Sequence, residues 1–257
     1  MPDALDDRNP SGLPGDGAAS STEPVSRSAA EPDMPERRSP NRPALDRGER
    51  EIKDAILRMG SLVEEQIRAA IAALVARDDD AALAVIRNDG RVNEAQRFVS
   101  TQIAATIATQ QPVARDLRFL LALDHVASEL ERMGDHAASV AKQARKLGHE
   151  PIPIRAGDLR RMGELAAEML HGILRALVSL DADSARAVAQ RDDELDHLYS
   201  RTFIDTIARM REDPASVEPG AFVLFSAYYL ERIGDRVTNI AEDIVFLTSG
   251  AVEDLNP

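Results

Sequence analysis

The chain contains no cysteine. Disulfides, thiolate catalysis and sulfur-ligated zinc are excluded together. Tryptophan is absent as well, and aromatic residues make up only 4% of the sequence. The core must then come from Ala, Leu, Ile and Val within a hydrophobic fraction of 44%, the composition of packed helices rather than of a β-sandwich. Positive charge is scarce: 31 Lys and Arg against 44 Asp and Glu leave a formal net charge of -13. Such a chain repels phosphate backbones, which argues against nucleic acid and for cations or basic protein patches as partners. Long apolar runs are missing too. The longest near a helix, Gly220 to Leu230, falls well short of the roughly 20 residues that span a bilayer. The N-terminus lacks the apolar segment of a secretory signal.

Eight of the 14 prolines fall before residue 45, in a stretch without apolar periodicity. Residues 1–45 therefore read as a disordered tail, unable to offset chain entropy by burial. From about Glu49 the pattern turns helical. Apolar residues at three- and four-residue steps predict helices to about Ala76, over Ala81–Thr109, and from Pro112 to Lys146. "HEPIPIRAGD" carries two prolines and a glycine and marks a boundary. The plan then repeats, with helices over Leu159–Leu180, Asp183–Arg211 and Ala221–Leu247. The expected architecture is all-α: two tandem antiparallel three-helix bundles, at 46–150 and 151–257.

The third helix of each half carries the same phrase, "LERMGD" at Leu130–Asp135 and "LERIGD" at Leu230–Asp235. Residues four apart on a helix share a face. Glu231 and Asp235 therefore point together, with Thr238 and Glu242 continuing the line, away from the stripe Leu230, Ile233, Val237, Ile240 and Ile244. Gly234 between the acids leaves room for an ion or a second helix, and Glu131, Gly134 and Asp135 repeat this geometry. A solvated acidic face is the ordinary explanation of one such pair. Repetition of the same like-charge spacing in a duplicated unit favours function.

A second pair of acids sharpens the case. Asp192 and Asp196 project inside the apolar arc Val188, Leu195, Tyr199, Thr202, Phe203 and Met210, as do Asp89 and Asn93 among Val85, Val92, Val99 and Ile103. Buried carboxylates need a cation, which is either a nearby arginine or a metal. Clustered oxygen donors suit Mg, Mn, Ca or ferric iron without Cys or His. Glu168-x-x-His171 and Glu194-x-x-His197 match the di-iron bundle motif. They share polar faces with Arg161, Glu164 and Arg175, and with Arg201 and Asp205, so they are expected at the surface.

Tandem three-helix units whose third helices carry "LERMGDH" and "LERIGDRVTNIAEDI", with "QQPVARDLR" opening the earlier one, resemble the PhoU family. The resemblance spans about residues 45–250. It implies a cytoplasmic, non-enzymatic regulator, peripheral at the inner face of the membrane. Its partners would be the phosphate ABC transporter ATPase and a sensor histidine kinase, and its action repression of the phosphate-starvation response. It further implies a homodimer and a bound metal, iron, zinc, Mg or Mn. The implied ligands are Asp192, Asp196, Glu231, Asp235, Asn239 and Glu242 in the second half, and Asp89, Asn93, Glu131 and Asp135 in the first. Half one departs from the pattern, with Ser139 in place of Asn239 and Lys142 in place of Glu242. The competing readings are a carboxylate-bridged di-metal enzyme and a purely structural scaffold.

Overall fold

The computed structural model describes residues 42–153 and 156–256, and every regular element in them is helical. In chain order these are α1 (Arg42–Ala76), α2 (Asp79–Gln110), α3 (Ala114–Leu147), α4 (Ala156–Ser179), α5 (Ala182–Ala189), α6 (Asp192–Glu212), a 3-10 turn at Pro214–Ser216, and α7 (Val217–Ser249). The expected disordered tail lies outside the described residues, save for 42–45, which already belong to α1.

The duplication is visible in the turns. Arg77 and Leu180 both take a left-handed backbone conformation. Each precedes an aspartate that caps the next helix: Asp78 accepts from the Ala81 N–H, and Asp181 from those of Asp183 and Ser184. A short oxygen-bearing side chain there satisfies donors that the first helical turn leaves free.

Three sequence expectations need correction. α1 begins seven residues before Glu49, and α7 begins at Val217 rather than Ala221, because Pro219 in a first turn needs no N–H partner. The expected fifth helix is two, α5 and α6. At Gln190 and Arg191 the bonding tightens to Arg191 N–H→Val188 O and Glu194 N–H→Arg191 O, while both residues stay right-handed. α6 then starts on Asp192, Asp193 and Glu194, charges favoured at a helix N-terminus. Neither proline nor glycine marks the break. On α6 the apolar arc holds at Leu195 and Thr202, both fully buried, but Phe203 is 44% exposed.

Large apolar side chains fill the interior from both halves, among them Ile56, Met59, Leu120, Met133, Leu159, Leu165, Ile233 and Ile240. The halves meet along two antiparallel pairs. Leu174 covers Gly60 and Ile71 covers Gly163, which sets α1 against α4. Along α3 and α7, His136 stacks on Tyr229, Asn239 Nδ2 donates to Glu129 Oε2 at 3.1 Å, and His125 Nδ1 meets Asp243 Oδ2 at 2.6 Å. Glu129 is only 3% exposed, and Arg236 Nη1 at 3.4 Å supplies its countercharge. Burial, then the guanidinium groups of Arg236, Arg232 and Arg132, push the His136 pKa down.

Candidate oxygen-donor site

The stripe Leu230, Ile233, Val237, Ile240 and Ile244 is buried as its spacing predicts. That orientation turns Glu231 and Asp235 to a half-buried edge facing α6. Gly234 lets α6 approach: a Cβ there would collide with the Asp192 carboxylate and the Leu195 side chain. The room left by this glycine is thus taken by a second helix, one of the two occupants its position allows.

Asp192 is the most constrained acid of the group. It is 4% exposed, and its Oδ1 has no hydrogen-bond partner among the described residues. Burial, then the charges of Asp196, Asp235, Glu231 and Asp193, push its pKa up to about 7. Burial followed by Glu231 also raises the carboxyls of Asp196 and Asp235. Arg232 offsets part of this repulsion. Its Nε lies 2.7 Å from Glu231 Oε2 and its Nη1 3.0 Å from Asp235 Oδ2. Of the two cations the sequence allowed, an arginine serves Glu231 and Asp235; no cationic side chain pairs with Asp192 among the described residues.

Two of the implied ligands, Asn239 and Glu242, have protein partners of their own, and Thr238, expected beside them on the acidic face, does not lie there. Asn239 spends its amide on Glu129 across the inter-half seam. Glu242 accepts the Leu255 N–H at 3.0 Å. Thr238 is buried, its hydroxyl donating to the Asp235 carbonyl, because α7 turns this position toward the core. The segment 251–256, which carried no motif, folds back over the acids. Asn256 Nδ2 donates to Asp192 Oδ2 at 3.1 Å and to Asp235 Oδ1 at 3.3 Å.

In half one, burial raises the Glu131 and Asp135 carboxyls, with Asp135 and Asp89 adding to the first and Asp89 to the second. Lys142 acts in the opposite sense on Asp135, as its place in the sequence predicts. Gln66 of α1 completes the group: its Nε2 donates to Asp89 Oδ1 at 3.1 Å and to the Gly134 carbonyl at 3.2 Å. Gln66 Oε1 and Asn93 Oδ1 are buried oxygens without partners among the described residues. Sequence reasoning passed over Gln66, although a glutamine in the stripe Met59, Val63, Ile67 and Ala70 was the available signal.

These donors fit a hard cation by chemistry. They are clustered carboxylates and amide oxygens, with one deeply buried carboxylate oxygen unpaired. They do not fit in their present rotamers. Among the described residues no three acidic or histidine side chains converge on a common ligand point. Arg232 and Asn256 draw the carboxylates of half two toward themselves, as Gln66 does with Asp89 in half one. The Glu-x-x-His motifs face outward: Glu168 and Glu194 are exposed and pair with Arg161, and His171 is exposed.

Fold and site together define a duplicated helical bundle with a carboxylate cluster in each half. A family model described as the PhoU domain matches residues 56–144 and 159–244. The chain is 37% identical over 207 residues to a phosphate-specific transport system accessory protein PhoU homolog of Clostridium acetobutylicum, covering 80% of this chain and 94% of that protein. A crystal structure of PhoU from Pseudomonas aeruginosa superposes with a TM-score of 0.77 at 31% identity, covering 80% of this chain and all of that one. The phosphate transport system regulatory protein PhoU from Streptococcus pneumoniae gives the same TM-score and identity over 82% of this chain and 99% of its own. This chain belongs to the PhoU family.

Proposed function

We propose that this protein restrains phosphate-starvation signalling, acting between a phosphate ABC transporter and its sensor histidine kinase through protein contacts rather than turnover. The observation that carries the reading is the match to phosphate-transport accessory proteins over four-fifths of the chain. The outward Glu-x-x-His motifs weigh against a di-metal oxidase, whose motif must face inward. No described helix is long and apolar enough to cross a membrane, so contact with a transporter would be peripheral. Deleting the gene in the source organism should raise phosphate-responsive transcription in phosphate-replete medium. Unchanged transcription would refute the regulatory role.

The carboxylate clusters hold a metal in this reading, with Asp192, Asp196, Glu231 and Asp235 at the centre of the second site and Asp89, Glu131 and Asp135 at the first. When bound, the cation neutralises carboxylates that otherwise repel one another. Half two has more acids, and Lys142 opposes a cation in half one. Asp235→Ala should therefore cost more bound metal than Asp135→Ala, and Lys142→Glu should strengthen the first site. Elemental analysis of purified variants at matched concentration decides this. Equal losses with no gain from Lys142→Glu would show that the halves bind alike or not at all.

A further inference from the structure

Each acidic cluster is closed by one carboxamide, and the two carboxamides come from different places. In half one the amide is Gln66, fixed in the middle of α1 and 6% exposed, donating to Asp89 and the Gly134 carbonyl. In half two α4 turns only apolar side chains inward at Met162, Leu165, Met169 and Ile173. The amide there is Asn256, on a segment that follows the last helix and has no regular structure.

That segment is held by three contacts. Glu253 makes a two-point ion pair with Arg186 of α5, at 2.7 and 2.9 Å. Leu255 packs on the core, and its N–H donates to Glu242. The two hydrogens of the Asn256 amide then bridge Asp192 and Asp235. Its nitrogen, the positive end of the amide dipole, sits between two carboxylates where a cation would be attracted. Beside it a cleft of about 560 Å³ opens between α7 and the segment, lined by the acids Asp235, Glu242, Glu253 and Asp254 and by Arg232 and Arg236, the first of which pairs with Asp235 and would have to swing aside as well. Asp192 Oδ2 is the oxygen that Asn256 covers, while its unpaired Oδ1 lies against Gly234 of α7.

We propose that residues 251–256 form a removable stopper on the second acidic cluster, which a divalent cation displaces. This rests on the reading of the cluster as a cation site. Asn256 donates hydrogen to the same two carboxylates that a cation would need, so the two occupants exclude each other. Loading therefore frees the C-terminal segment, and the apparent cation affinity is reduced by the fraction of molecules in which the stopper is closed. Gln66 cannot leave in this way, since its backbone is locked in α1. The asymmetry between the halves is thus one of access as well as of charge.

The test uses the full chain stripped with chelator, with Mn²⁺ as the probe. Affinity is measured by calorimetry, and exposure of the C-terminal segment by hydrogen exchange at the Leu255 amide. The expected result is faster exchange at Leu255 on saturation with Mn²⁺, and at least about tenfold tighter binding by Asn256→Ala, which removes both hydrogen bonds to the charged acceptors Asp192 and Asp235. Glu253→Ala should tighten binding in the same direction without touching the acids. If Mn²⁺ binds while Leu255 stays protected, or if Asn256→Ala weakens or leaves unchanged its affinity, the stopper is overturned and the cation site stands. If neither the native chain nor Asn256→Ala takes up Mn²⁺, the cation reading itself fails, and the stopper with it.

Discussion

Gly163→Val should destabilise the protein by about 3 kcal/mol, at the upper end of what overpacking a core costs. A Cβ at Gly163 would stand 2.8–2.9 Å from three atoms of Ile71, one of them the Ile71 Cβ. A side-chain tip could rotate away, but a Cβ moves only with its backbone. The added bulk must therefore push α4 off α1, and this pair is one of the two seams joining the halves. Chemical denaturation of the native chain, Gly163→Val, Ile71→Ala and the double variant measures the effect. The double variant should be at least about 1 kcal/mol more stable than the sum of the single losses predicts. Additive losses would mean that this contact is not the cause.

Asp192→Asn should stabilise the chelator-treated protein by roughly 2 kcal/mol above pH 7, and by little near pH 4. The folded carboxyl has its pKa pushed up to about 7, against roughly 3.9 in an unfolded chain. Between these values the folded state holds the proton that the unfolded state has released. Stability is therefore fullest below pH 4, declines as pH rises through the window to 7, and is level above it. Asparagine keeps the shape and an acceptor for Asn256 but cannot ionise, so the decline attributable to this residue disappears. The gain is smaller than the whole pKa difference implies because an acid at the start of α6 also interacts favourably with the helix N-terminus, and asparagine gives that up. Thermal denaturation of both proteins from pH 4 to 8 checks the window. Parallel curves would show that Asp192 ionises freely despite its burial.

The helical class, the duplicated order of elements and the facing of Glu231 with Asp235 were legible in the sequence. Each follows from local rules: composition, a 3.6-residue period, turn chemistry and a repeated phrase. Asp192 was legible too, as an acid inside an apolar arc. The break at Gln190 and Arg191 was not, because neither proline nor glycine marks it. The partners of the acids were also out of reach. Gln66 meets Asp89 from 23 residues away, Asn239 meets Glu129 across 110, and Asn256 meets Asp192 across 64. Periodicity assigns a residue to a face of its own helix. Which side chain closes that face depends on how α1, α3, α7 and the C-terminal segment come together, and only the packed tertiary structure decides that.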